Sequence, residues 1–434
     1  MTTAQVDHWA AELAVMGPGI SEAVAWAGLV IDRAEGTRLT DIEGNSYLDL
    51  MGGAGVNLIG HSHPAYIAAM TEQLNTWQIG AHASRARLDA LLGLAALLPS
   101  GLDRVQLYSS GAEAVESAIR VAKSATGKFE ILSFWGGFHG RTAAALAATG
   151  GARTGLGPAM PGVHTTPYAN CYRCPLKTTY PGCGLACVDH ARDSLREQSS
   201  GSLAAILVEP VQGRSGNVVP PPGYLTALHE LAAEHDALLI CDESMTGLGR
   251  TGTALASQHD DVTPDIAILG KGLGNGYPVS AVAAPTALME AGPYGKPSAS
   301  SSSYGGFPLA CAAVSAVTRT VREERLADLA ATLGATLLDH LRDLIPIAGI
   351  VGDIRGRGLA IGIELVTDQT NRKPLPKDHL RKVFTDLLNH GVLVMTGGST
   401  LRLYPPLTAT ADELDQAADA LARVLATHNA LAES

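Results

Sequence analysis

Five short β-rich runs, at 104–108, 129–133, 204–208, 237–241 and 266–269, alternate with stretches of helical periodicity. No other feature constrains the fold as much. Between the first two runs, Val115, Ala118, Ile119 and Ala122 recur at i, i+3, i+4 and i+7, which puts them on one face of a helix. Strand–helix alternation of this kind predicts an α/β architecture: a mostly parallel sheet with helices on both faces. The chain has 434 residues, too many for one small core, so two or three units are expected. The expected division begins with an N-terminal segment over 1–60 contributing to a small domain. A large domain follows over 61–322, and a C-terminal small domain over 323–434.

The flanks read differently from the middle. Residues 40–49 predict a hairpin with Gly44-Asn45 at the turn. After Glu323 a long Ala/Leu helical pattern over 325–345 leads to a strand at 353–365 entered through a glycine turn. Further strands are expected at 392–395 and 400–404, with a final helix over 411–426. A helix beginning at Pro308 joins this α+β part to the sheet.

Composition removes several classes of function. The net charge is −11, and neither Lys nor Arg occurs before Arg33. No basic cluster offers a nucleic-acid face. No apolar run is long enough to span a bilayer, and the first residues lack the pattern of a signal peptide. Six cysteines in so long a chain do not suggest a disulfide framework. A cytoplasmic enzyme is the expectation.

The ends of two predicted strands carry the chemistry. Asp242 follows the apolar run 237–241, and Lys271 lies 29 positions later, after the run 266–269 and among Gly270, Gly272, Gly274 and Gly276. An amine and a carboxylate so placed suit pyridoxal 5'-phosphate. The amine holds the aldehyde as a Schiff base, and the carboxylate keeps the pyridine nitrogen protonated. Ser110-Gly111-Ala112 ends a strand and opens a helix, whose free N–H groups suit a phosphate; the plainer reading is an ordinary helix cap. Phe138 and His139, among small residues, suit the face of a flat ring, although either alone is more often core or loop. Gly247-Leu-Gly-Arg-Thr-Gly252 matches the dinucleotide fingerprint but has neither the strand before it nor the acid after the next strand. Cys171, Cys174, Cys183 and Cys187, with His190 nearby, have spacing open to a structural zinc site or to a loop of reduced thiols. No metal ligand is assigned.

Six segments in order resemble the class III aminotransferases, the ω-, 4-aminobutyrate and ornithine group of the fold type I pyridoxal phosphate enzymes. They are Ser110-Gly-Ala-Glu113, Phe138-His-Gly-Arg-Thr142, Glu209-Pro-Val-Gln-Gly213, the run 242–252, Lys271-Gly-Leu-Gly274 and Tyr304-Gly-Gly306. The resemblance implies a large domain with a seven-stranded-type sheet and a smaller domain built from both termini. It implies that Lys271 and Asp242 are catalytic. It also implies cofactor contacts from Ser110, Gly111, Ala112, Phe138, His139, Glu209, Asp242, Ser244, Met245 and Lys271. Ser303 should reach the phosphate of a neighbouring subunit, making a homodimer with shared active sites. Arg402 and Arg141 match guanidinium groups that grip substrate carboxylates, and Glu209 an acid that can pair with Arg402. The partners implied are an amino donor and a 2-oxo acid, with 2-oxoglutarate the first candidate, and neither nucleic acid nor membrane.

The chain departs from the family at Ser244-Met245, where valine and glutamine are usual: serine thins the packing under the ring and methionine cannot donate a hydrogen bond. Phe307 stands where asparagine is common. Amino transfer is the leading reading. Racemisation or epimerisation on the same lysine is the second. A non-catalytic cofactor scaffold is the third, opposed by intact Lys271, Asp242 and Arg402. Decarboxylation is disfavoured by Ala54, where a decarboxylating relative has glutamine.

Overall fold

A computed structural model describes residues 3–151 and 154–428. The expected sheet has seven strands, in the order Arg104–Tyr108, Ser280–Ala284, Ile266–Leu269, Leu238–Asp242, Leu203–Val208, Glu130–Phe134 and Val163–Thr166. Ser280–Ala284 runs against both of its neighbours, and every other pairing is parallel. Each residue of Leu203–Val208 and Ile266–Leu269 is buried, which explains their unbroken apolar runs. Helix Gly111–Thr126 buries the expected stripe, including Val115, Ala118, Ile119 and Ala122. Gly127, at φ 69°, ends it in the left-handed conformation.

Two strands of the sheet carry no strong sequence signal. Val163–Thr166 is a four-residue edge strand, and Ser280–Ala284 is mostly alanine and serine. Burial on both faces, not intrinsic β preference, places such small residues in a sheet.

The termini build further sheets. Arg38–Asp41 and Ser46–Asp49 form the expected hairpin, and the C-terminal strand Val392–Leu393 pairs in parallel with Ser46–Asp49. The stretch 353–365 is not one strand but most of a hairpin: Val351–Arg357 and Ala360–Asp368 pair antiparallel around Gly358, at φ 52°. The stretch 392–395 likewise divides, because Val392–Leu393 joins the N-terminal sheet while Met395–Gly397 pairs with Thr400–Leu403. Buried Arg250 ties these parts together through the carbonyl oxygens of Leu359, Pro405 and Asn57. Gly247–Gly252 forms turns, not a strand–helix junction. Gly249 and Gly252 are needed for packing: a Cβ on Gly252 would lie 2.9 Å from the Ala331 side chain on helix Leu326–Arg342.

No described helix is long and apolar enough to cross a membrane. Tyr108, Asp242 and Leu269 end their parallel strands at the same edge of the sheet, the edge where open α/β sheets bind ligands.

Candidate active site

Asp242 is the last residue of its strand and is only 4% exposed. Its Oδ2 lies 2.8 Å from His139 Nδ1, and its Oδ1 accepts the Ser244 N–H at 3.1 Å. Burial by itself would raise this carboxyl. The hydrogen bond and charge of His139 outweigh it and hold Asp242 below the ordinary carboxylate value. Burial pulls His139 down, and the Asp242 bond and charge push it above its ordinary value. Each partner thus favours the charged form of the other. His139 is held from its other side, since its backbone N–H donates to Thr149 Oγ1 at 3.0 Å.

Lys271 follows Gly270 at the end of strand Ile266–Leu269 and opens a short 3₁₀ turn. Its φ is 43°, a left-handed value rare for a side-chain-bearing residue and typical of functional positions. Its amine is held below the ordinary lysine value, first by burial; Asp242 and Glu209 oppose that shift and Arg402 adds to it. Ser244 lies between the two glycines of the site. A Cβ on Gly270 would stand 3.4 Å from Ser244 Oγ, and one on Gly111 would stand 4.0 Å from it. Met245 is buried with Tyr404 and Ala360 and packs against Gly55 and Gly213. Glu243 turns away from the site, bonding the backbone N–H groups of Ala256 and Ser257.

Ser110 caps helix Gly111–Thr126, with its Oγ accepting the Glu113 N–H at 3.2 Å. That leaves the Gly111 and Ala112 N–H groups at the positive end of a sixteen-residue helix. The glycine at 140 lets the Phe138–His139 loop close onto this helix, because a Cβ there would meet the Ala112 side chain at 2.8 Å. Glu209 fixes the same loop. Its Oε2 accepts the Phe138 N–H at 2.8 Å and its Oε1 the Gly213 N–H at 3.2 Å.

Arg402 is 4% exposed and donates to the carbonyl oxygens of Gly213, at 3.2 Å, and Thr396, at 2.8 Å. No ion pair between Arg402 and Glu209 is present; the Glu209 oxygens accept the Phe138 and Gly213 N–H groups. Arg141 and Ser303 are exposed. One group escaped the sequence reading. Arg214 places its guanidinium 5.3 Å from the centre of the Phe138 ring. Its only sequence signal is its position directly after Glu209–Gly213.

The arrangement suits pyridoxal phosphate. Two helix-terminal N–H groups suit a phosphate. A carboxylate kept ionised, with lone pairs to spare on both oxygens, suits a ring N–H. A lysine amine with depressed basicity suits an aldehyde. The four loop cysteines are free and line one small cavity with Tyr168 and Pro221. Among the described residues no three His, Cys, Asp or Glu side chains are set to hold a metal ion.

Fold and site together define a fold type I pyridoxal phosphate enzyme. Residues 21–425 match the family model "Aminotransferase class-III", and the chain belongs to that family. It is 39% identical over 400 residues to an acetylornithine aminotransferase from Methanopyrus kandleri, covering 90% of this chain and 92% of that one. It is 32% identical over 416 residues to a diaminobutyrate–2-oxoglutarate aminotransferase from Rhizobium meliloti, covering 91% and 87%. Among solved structures, an (S)-enantioselective ω-transaminase from Thermomicrobium roseum superposes with TM-score 0.91 at 30% identity, covering 98% of each chain. The protein is thus an aminotransferase that uses pyridoxal 5'-phosphate, an amino donor and a 2-oxo acid. The relatives are named for amino transfer, and the racemase reading finds no support in them.

Proposed function

We propose that Lys271 is the residue that binds the cofactor aldehyde and then carries the proton in amino transfer, with Asp242 holding the ring nitrogen protonated. The depressed lysine opposite the ionised, histidine-bound Asp242 is the observation that carries this reading. Bound pyridoxal phosphate supplies an aldehyde to take up the amino group and a protonated ring to accept the electron pair released at the substrate carbon. Everything else is the work of this chain. Ser110, Gly111 and Ala112 hold the phosphate, while Phe138 and Ser244 take opposite faces of the ring. Met245 fills the space between Gly213 and Tyr404 instead of donating a hydrogen bond. Lys271, its basicity lowered by burial, accepts and returns a proton.

The donor is an amino acid whose carboxylate is gripped by arginine, in the class of the acetylornithine, ornithine and diaminobutyrate substrates for which relatives are named. The acceptor is 2-oxoglutarate. Arg402 and Arg141 supply guanidinium groups for the carboxylates. The active unit is a cytoplasmic homodimer in which exposed Ser303 reaches the partner's phosphate, and residues 1–60 and 323–434 act as a small unit on the large one, 61–322. A donor screen against 2-oxoglutarate, followed by cofactor absorbance, tests this with Arg402→Ala and Arg141→Ala alongside. KM for acidic substrates should rise roughly a hundredfold in Arg402→Ala. Unchanged KM in both variants contradicts the assignment.

A further inference from the structure

Four of the six cysteines gather in one loop, where Cys171, Cys174, Cys183 and Cys187 line a small cavity with Tyr168 and Thr178. All four are free, and no three of them are set to hold a metal ion. Cys174 has surroundings of its own. It stands where two turns meet: Asn170 Oδ1 accepts the Arg173 N–H at 3.0 Å, and the Cys174 carbonyl oxygen accepts the Lys177 N–H at 3.1 Å. The second turn aims the N–H groups of Leu176, Lys177 and Thr178 at Cys174 Sγ, which lies 3.4 Å from Thr178 Oγ1. Burial by itself would raise this thiol. The Thr178 hydroxyl and those N–H groups outweigh it and hold Cys174 below the ordinary thiol value. Burial instead pushes Cys171 up, with Cys174 and Cys183 adding to the shift, and it pushes Cys187, Cys241 and Cys311 up as well. Cys171 is nevertheless exposed, so reagents in water can reach it.

Cys171 and Cys174 bracket Tyr172 and Arg173, and these two residues strap the loop to the C-terminal part of the chain. Arg173 Nε donates to Glu364, on strand Ala360–Asp368, at 2.8 Å, and its Nη1 donates to the Arg372 carbonyl oxygen at 2.6 Å. Arg372 returns a hydrogen bond to the Tyr172 carbonyl oxygen at 2.8 Å and sets its guanidinium 4.8 Å from the centre of the Tyr172 ring.

We propose that this loop is a hydroperoxide-sensitive modification site, in which Cys174 is oxidised first and Cys171 closes a disulfide with it across the strap residues Tyr172 and Arg173. The Cys174 sulfur attacks one oxygen of the peroxide. An S–O bond forms, the O–O bond breaks, sulfur gives up two electrons, and the leaving hydroxide takes a proton from water. The Cys171 sulfur then attacks the sulfenic sulfur. The S–S bond forms, the S–O bond breaks, and hydroxide leaves as water with the Cys171 proton. Bringing the two sulfurs to bonding distance, about 2 Å, draws Cys174 off the Thr178 turn and pulls on the strap between them.

Hydrogen peroxide added in equimolar amount to the cofactor-loaded enzyme, followed by alkylation of the remaining thiols under denaturing conditions and peptide mass mapping, tests this. The first product should be the Cys171–Cys174 disulfide, with Cys241 and Cys311 still alkylated. In Cys171→Ser a dimedone-type reagent should trap the sulfenic acid on Cys174, and in Cys174→Ser oxidation of the loop should slow about tenfold or more. The oxidised wild type should melt about 2 °C or more below the reduced enzyme, reversibly with a dithiol, and Cys171→Ser should show no such shift. First oxidation at Cys183 or Cys187, a disulfide from Cys174 to either of them, or an undiminished rate in Cys174→Ser overturns the proposal. A Cys171–Cys174 disulfide that leaves melting unchanged overturns its link to the strap.

Discussion

The floor of the site and its wall are built in opposite ways. On the floor, Asp242, His139 and Glu209 are each no more than 6% exposed, and every carboxylate oxygen there has a protein donor. They sit at strand ends or on loops pinned to them. On the wall, Arg214 is exposed and belongs to a loop, and buried Arg402 keeps an unpartnered Nε. A satisfied, buried floor fixes one geometry and one kind of chemistry. A partly unsatisfied wall leaves its hydrogen bonds for whatever molecule is being selected. The reaction is thus set by the sheet and the substrate by the loops, the usual division of labour between scaffold and loop.

If that division is right, damage to the floor should cost both reaction and fold. Asp242→Asn should lower kcat by about a hundred- to a thousandfold in stopped-flow half-reactions. It should also destabilise the protein by about 3 kcal/mol or more in denaturant unfolding, because it leaves His139 buried without its counter-ion. A variant with full stability and wild-type kcat would place the electrostatic centre elsewhere.

The same pair gives stability a pH signature. Asp242 lies below its ordinary value of 3.8 in the folded protein, so its contribution is present above that pH and fades as pH falls through the lower folded value. His139 lies above its ordinary 6.5, so its contribution is present below that pH and is lost as pH rises through the higher folded value. The difference in unfolding free energy between wild type and Asp242→Asn should therefore be largest between about 3.8 and 6.5 and shrink on both sides. A difference independent of pH would show that the two side chains are not charged partners.

The smallest effect belongs to the cysteine loop. Cys171 is exposed and touches neither floor nor wall. Cys171→Ser should leave KM unaltered and stability within about 0.5 kcal/mol by thermal melting. A large loss of stability would assign the Cys171 thiol a structural task.

The floor was also the part legible in the sequence. A carboxylate and an amine ending consecutive β-rich runs can only meet at one edge of a parallel sheet, so Asp242 and Lys271 could be placed from spacing alone. The wall was not legible in this way. The backbone N–H groups that hold Glu209 come from Phe138, 71 residues away, as well as from Gly213. Arg214 acquires meaning only once Phe138 is beneath it. The same limit explains the strands that were missed or merged. Ser280–Ala284 is a strand because Arg104–Tyr108 and Ile266–Leu269 flank it, and 392–397 divides because its two halves find partners in different sheets.

The most direct test of the floor is chemical. Borohydride reduction of the cofactor-loaded enzyme, followed by proteolysis and peptide mass mapping, should find the pyridoxyl label on Lys271, with Lys271→Ala unlabelled. A label on any other side chain, or wild-type labelling in Lys271→Ala, would contradict the account.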